Sequence, residues 1–412
     1  MNSRQRVLSA INHVEPDGVP VDLGATPSSG ISAIAYDRLL QHIPLEDKRN
    51  WVYDVVQQVA QPSDEALDRF RIDAIDVGRT FNSRDSDWYD HPLANGRPAQ
   101  LPTWFRPRRQ PDGSYLAYEG EEAIASMPLT AFSYDQIVYP FLDGYPDSYG
   151  DNLDEAMGKI HWAAFAHSPW DHAGEPDFWE QLRTKALKLR ASSDRAIVLS
   201  AGCNLFEWGT FVRRIDKFLM DLVLAPAEVE RFLDALMERH LSSLENICRA
   251  VGDVVDVIRL GDDLGMNSGP LMGPAMYRKL FKPRHEMMCR FIKANSSMHT
   301  FLHSCGSIYK LIPDLIDAGF EILNPVQTNA RGMDPARLKK EFGSDVTFWG
   351  GGADTRSVLN RGTPEQVKDH VRENIEILAP GGGFIFNTIH NILPDVPPEN
   401  IMAMFEAVDE FR

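Results

Sequence analysis

The sequence predicts an α/β protein folded as a (β/α)8 TIM barrel, on three observations. From about residue 195 onward short apolar strands alternate with helices, a pattern that pairs strands in parallel through crossovers. Strand runs starting near residues 19, 72, 196, 254, 299, 320, 346 and 383 number eight, the count that closes such a barrel. Strand after strand finishes in polar or charged residues, as happens where a barrel carries its site on one face. A doubly wound open sheet would bring a glycine-rich phosphate turn after its first strand. Leu23-Gly24-Ala25-Thr26-Pro27 does not supply one.

The elements follow in order. Residues 3–13 read as a helix with Val7, Leu8 and Ile11 at helical spacing and Ser3 as its cap. Pro16-Asp17-Gly18 marks a turn, and residues 19–24 a strand. Helical patterning returns at 36–42 and 64–70, followed by a strand at 72–78. Between about 80 and 190 the periodicity loosens and aromatic residues accumulate, among them Trp88, Trp104, Phe132, Tyr134 and Phe141. Pro111-Asp112-Gly113-Ser114 within this stretch marks a β-hairpin. Residues 1–412 thus read as a single barrel domain with an aromatic-rich insertion, about 80–190, near the barrel mouth; a surface excursion packed outside is the alternative. Further on, strands are expected at 196–202, 253–260, 298–303, 320–324, 346–350 and 383–387. Between them lie helices opening at Pro226 and spanning 274–293, 307–318, 335–342, 364–378 and 397–411.

The totals narrow the function classes. A chain of 412 residues, 43% hydrophobic and 25% charged, can bury a large core. A net charge of −17 argues against nucleic acid or an anionic membrane surface as partner. Four irregularly spaced cysteines imply no disulfide framework. The first residues lead into a helix rather than an apolar signal core, and no apolar run reaches the length of a membrane span. A reducing cytoplasm is the expected home.

Chemistry concentrates at Met298–Gly306, an apolar run that ends in His303-x-Cys305 and then glycine. Alternate strand residues face one way, so the imidazole and the thiol can point at one spot. They are a soft ligand pair suited to zinc and lack a third ligand. A structural histidine beside a small core cysteine is the plain alternative, since two ligands do not make a site. The other strand ends bring Asp22; Asp76 and Arg79; Cys203 and Glu207; Arg259, Asp262 and Asp263; Asn324 and Gln327; Trp349 with its three glycines; and Asn387 and His390. His390 lies just past the last strand, and the fifth and eighth strands face each other across a narrow mouth. His303, Cys305 and His390 would leave a fourth position open, the catalytic arrangement for zinc. Asp263 or Asp262 competes as third ligand, and Cys203, further round, remains in play. Gly261-Asp262-Asp263 is good turn chemistry, but it follows a buried strand, so at least one carboxylate is expected to orient the site, for example through the other ring nitrogen of His303. The glycines after Trp349 would admit a flat ligand or another backbone. Cys248 and Cys289 fall in helical stretches and read as core.

The chain resembles the uroporphyrinogen decarboxylase superfamily, specifically its corrinoid-dependent methyltransferase branch. The resemblance rests on Arg6–Ile11 with Pro16–Val21, Phe301–Ser307, Ile322–Gln327, and Gly382–Asn387 leading to Pro397–Ile401. It implies a (β/α)8 barrel. It also implies a zinc held by a His-x-Cys pair and a later cysteine, activating a thiol to take a methyl group from a methyl-corrinoid protein. His303 and Cys305 fall on the pair, and His390 stands where the later cysteine would be. A site with one thiolate is the better Lewis acid, suited to an ether or alcohol oxygen as well as a thiol. The chain carries no Asp-x-His-x-x-Gly cobalamin pattern, so the corrinoid would arrive on a separate protein. Asp262 or Asp263 would then orient or charge the site, with Asn324 and Asn387 supplying hydrogen bonds. The family often forms dimers, which makes a homodimer an expectation of the resemblance alone. Porphyrin decarboxylation is not expected: Asp22–Pro27 has no arginine to receive a tetrapyrrole's many carboxylates. Two further readings are a zinc lyase or hydrolase using metal-bound water, and a non-catalytic barrel that binds a ligand or corrinoid partner.

Overall fold

Seven short strands, each parallel to its neighbours, form one curled sheet in the order Ala74–Asp76, Ala196–Gly202, Val257–Gly261, His299–His303, Ile322–Asn324, Thr347–Trp349 and Phe384–Ile385. They come from a computed structural model that describes residues 1–160 and 166–412. The expected first strand closes the ring without forming a full ladder. Phe386 N–H donates to Pro20 O at 2.8 Å, Asp22 N–H to Phe386 O at 2.9 Å, and Asp73 N–H to Val21 O at 2.7 Å. Val21 and Phe386 form a parallel bridge. Pro20 has no N–H to give, and the Val21 N–H goes to the Asp73 carboxylate at 2.9 Å rather than to a backbone carbonyl. The eighth position of the barrel is therefore occupied, but by a single bridge.

Inside the ring, Ala74, Val198, Val257, Phe301, Ile322, Trp349 and Ile385 pack together with Val7, Ala10 and Ile11 of the helix Ser3–Ile11, which plugs the lower end. That helix is capped by Asn2, not Ser3: the Asn2 side chain takes the Gln5 N–H and the Gln5 side chain returns to the Asn2 N–H. Strand side chains alternate, so the residue two places after each interior apolar one faces the same channel one layer higher. Those residues are Asp76, Ser200, Arg259, His303, Asn324, Gly351 and Asn387, polar in every case but the glycine. A polar layer thus sits on an apolar floor, and this is the physical origin of the polar strand ends.

The long helix is Pro226–Val251, with Val229, Phe232, Leu233 and Leu236 buried. The helix expected over 274–293 is two, Pro274–Leu280 and Lys282–Asn295, broken at Phe281 ahead of Pro283. The helix expected from 307 begins at Ile312. In the insertion, residues 161–165 lie outside the described ones. Gln110 N–H closes the turn at 111–114 on Ser114 O at 2.8 Å, joining Arg108–Arg109 to Tyr115–Glu119 as the expected hairpin. A mixed sheet, not foreseen, pairs Trp51–Asp54 antiparallel with Val59–Gln61 and parallel with Pro98–Pro102, which pairs antiparallel with Trp88–Pro92. Among the described residues no helix is long and apolar enough to cross a membrane.

Candidate metal centre

His303 ends its strand, and the turn after it is pinned at every residue. Ser304 N–H donates to Asn324 O at 2.6 Å, Cys305 N–H to Asp263 Oδ1 at 2.8 Å, and Gly306 N–H to Gln327 Oε1 at 2.9 Å. Gly306 adopts φ +84°, and a Cβ there would lie 2.5 Å from the Gly265 backbone, so only glycine permits this turn. The segment carrying His390 is fixed in turn by Ile389 N–H on Ala353 O and by Asn391, which donates to Pro27 O and accepts from Gly30 N–H. The outcome is convergence. Ligand atoms of His303, Cys305 and His390 all lie within 4.8 Å of one another. His303 Nε2 is 3.4 Å from Cys305 Sγ, and the two imidazole rings meet edge to face with centroids 5.8 Å apart.

The second nitrogen of His303 is held by Asn324. Asn324 Nδ2 donates to Trp349 O at 2.8 Å, which turns its Oδ1 toward His303 Nδ1, 2.6 Å away. An acceptor there requires the proton on Nδ1, so Nε2 presents a lone pair to the cluster. The orienting partner is thus the asparagine rather than Asp262 or Asp263. Burial pushes His303 and His390 down to about 3, reinforced by the positive charge of Arg259 and, for His390, by His303. Both rings are therefore neutral at neutral pH. Burial, with the charges of Asp263 and Glu207, pushes the Cys305 thiol well above its ordinary value. Two imidazole lone pairs and a thiol that keeps its proton until a cation replaces it are a donor set that fits zinc.

The two aspartates part company. Asp263 reaches the cluster, with Oδ1 3.6 Å from His303 Nε2, and its side chain is 41% exposed. Asp262 is sealed behind it: its carboxylate accepts from Leu205 N–H at 3.1 Å and Glu207 N–H at 3.0 Å, and lies 3.2 Å from His285 Nε2. Its own N–H donates to His303 O. It braces the site without lining it. Asn387 gives both amide protons to backbone, Asp22 O and Ser29 O, and ties the first loop to the last strand. Cys203 lies outside the three-residue cluster; its buried thiol, pushed up to about 12, rests on Ala201 O.

A cavity of about 220 Å³ opens onto His303 and His390. Asp263, Glu207 and Arg259 line it, as expected strand-end residues. Ser28, Asp54, Gln57 and His167 line it too, and none was singled out in the sequence. Asp54 and Gln57 arrive on the hairpin 51–61, whose β-rich runs Trp51-Val52-Tyr53 and Val59-Ala60 were the available signal. Glu207 is buried against Asp263 and Asp262, and burial first, then these charges, push its carboxyl up to about 8. It holds a proton at neutral pH. The glycines after Trp349 serve close backbone approach: at Gly351, φ +89°, a Cβ would meet Val326 O at 2.9 Å.

A family model described as Uroporphyrinogen decarboxylase (URO-D) matches residues 204–411, just over half of the chain. The methylcobamide:CoM methyltransferase MtaA of Methanosarcina barkeri is 30% identical over 163 residues, covering 38% of this chain and 42% of that protein. A uroporphyrinogen decarboxylase of Methylococcus capsulatus is 33% identical over 97 residues, 24% of this chain and 26% of that protein. The chain thus spans less than half the length of these curated relatives. A solved methyltransferase from Methanosarcina mazei shares the fold over 100% of this chain and 99% of its own, with a TM-score of 0.58 at 17% identity. The barrel with its polar upper layer and the matched C-terminal half lead to one conclusion: this chain belongs to the uroporphyrinogen decarboxylase family.

Proposed function

We propose that the protein is a zinc-dependent methyltransferase that moves a methyl group between a small substrate and a corrinoid carried on a separate protein. The observation that carries the reading is the convergence of His303 Nε2, Cys305 Sγ and His390 beside an open cavity. The methyltransferase among the relatives supports the reaction class. His303, Cys305 and His390 would hold the metal. Bound there, zinc supplies Lewis acidity to the heteroatom that carries or accepts the methyl group. The chain's own residues do the rest. Asn324 keeps the His303 lone pair aimed at the centre, and Asp263 holds the Cys305 backbone in place. Glu207, protonated at neutral pH and lining the cavity, can give a proton to an oxygen losing its methyl group.

Decarboxylation of a porphyrin fits poorly. Among the charged side chains lining the cavity, the acids Asp54 and Asp263 face one guanidinium, Arg259, so a polycarboxylate would meet repulsion. The cavity is also below the ~300–1,000 Å³ typical of drug-sized ligands. The test has two arms. Zinc content is measured for wild type, His303→Ala, Cys305→Ser and His390→Ala, with loss expected in all three variants. Zinc-loaded protein is then mixed with methylcob(III)alamin and thiols, or cob(I)alamin and methyl ethers, and the corrinoid spectrum is followed. A metal-replete protein that moves no methyl group in either direction would overturn the proposal.

A further inference from the structure

Arg259 stands in the polar layer, midway along Val257–Gly261, and lines the cavity shared with His303 and His390. A guanidinium offers five donors. Its hydrogen bond within the chain runs from Nη2 to Ser28 Oγ at 2.8 Å. Its Nε is enclosed and has no acceptor. Among the described residues its acidic neighbours, Glu207 and Asp263, act on it through space without forming an ion pair. Other buried or half-buried arginines differ from it in being ion-paired, although the Arg412 Nε also has no acceptor. Arg190 and Arg4 share Asp256, while Arg6 and Arg412 share Asp73. An enclosed cation with a free donor is costly to fold around unless something else supplies the acceptor.

We infer that Arg259 is the anchor for a carboxylate on the substrate, so that the molecule transformed at the His303–Cys305–His390 centre is a short carboxylic acid. A carboxylate accepts two parallel N–H bonds from a guanidinium, and the two terminal nitrogens are such a pair, with the second Nη2 proton left for Ser28. Ser28 Oγ, in the lining of the same cavity, holds Nη2 in place. Arg259, His303 and His390 line one cavity of about 220 Å³, small enough for one small molecule to span the two sites. The planar, singly charged group is the better match than a phosphate, whose second charge would face Asp54 and Asp263 in the same cavity. The inference rests on the methyltransferase reading for what happens at the other end of the molecule, but its anchoring part stands on Arg259 alone.

The test is calorimetric titration of the full chain, metal-stripped and zinc-loaded, with three acids: acetate, methoxyacetate and 3-methoxybenzoate. The neutral amide of each serves as control. At least one acid should bind in both metal states, and roughly tenfold or more tighter than its amide. Arg259→Gln should erase that ratio, Arg259→Lys should keep part of it, and Ser28→Ala should loosen the acid several-fold. The lysine and alanine variants decide the matter should the glutamine protein fail to fold. Equal binding of acid and amide by wild type, no acid bound at millimolar concentration, or unchanged acid binding by the variants would each overturn the inference. Acid-selective binding by a protein that takes up no zinc would leave Arg259 as anchor and remove the zinc reading; zinc uptake with no preference for acids would do the reverse.

Discussion

The barrel mouth has two walls that burial treats in opposite directions. One wall, built on the strands His299–His303 and Ile322–Asn324 and on the segment at 390, carries nitrogen and sulfur ligands. The other, built on Ala74–Asp76, the bridge at Val21 and the hairpin at 51–61, carries the carboxyls Asp22, Asp54 and Asp76. Loss of water lowers the imidazoles, to about 3 for both His303 and His390. The same loss raises the carboxyls, to about 6 for Asp22 and Asp54 and about 7 for Asp76. Desolvation disfavours whichever form is charged, so a single physical cause frees lone pairs on one side and delays ionisation on the other.

The largest effect should come from removing the sulfur. Cys305→Ser should lower zinc affinity by more than the ~10–100-fold that loss of a supporting group costs, while the metal-free protein unfolds at nearly the same urea concentration. Full zinc occupancy in that variant would show that the nitrogen wall is not a metal site. Next comes the brace behind that wall. Asp262→Ala strands the Leu205 and Glu207 N–H groups and leaves His285 facing a void, so it should cost about 3 kcal/mol in urea unfolding. Asp263→Asn keeps an oxygen for the Cys305 N–H and should stay within about 0.5 kcal/mol. Equal losses from the two neighbours would collapse the distinction between brace and lining. Smaller again is Asn324→Ala. Freed to hold its proton on either nitrogen, His303 should lose about tenfold in zinc affinity, measured by competition with a chromogenic chelator.

How much of this was legible in the residues differs between the walls. His303 and Cys305 sit at a strand end with the period that aims both at one point, so the pair could be read directly. His390 followed from barrel geometry and the family resemblance. The opposite wall was half visible. Asp22 and Asp76 end recognisable strands, but Asp54 and Gln57 ride on a short antiparallel hairpin inside a region with no helical or alternating pattern to mark it. Ser28 and His167 belong to loops, which carry no periodicity at all. Roles were harder to read than positions. Asp262 and Asp263 are adjacent and chemically identical; which faces the cavity depends on where the backbone N–H groups of 205 and 207 fall, a long-range fact. The barrel's first strand was foreseen as a strand and is only a bridge, because Pro20 and the Val21 N–H bonded to Asp73 leave too few donors for a ladder.

The last prediction tests the carboxyl wall by pH. Asp76 is buried, and desolvation raises it from 3.8 to about 7 against the pull of the Gly78 N–H and Arg79. The unfolded chain releases this proton near the ordinary value, whereas the native state keeps it up to about 7. Between those values the native state binds more protons, so stability falls as pH rises through that window and is flat on either side. Asp76→Asn carries no titrating proton and retains an oxygen for the Gly78 N–H. Its urea stability relative to wild type should therefore improve by about 3 kcal/mol on going from pH ~4.5 to pH ~8, in metal-free protein. Every other titrating group is common to both proteins and cancels in that double difference. A difference that stays constant with pH would mean that Asp76 ionises as freely inside the barrel as outside, and that water reaches the carboxyl wall while it is kept from the imidazoles.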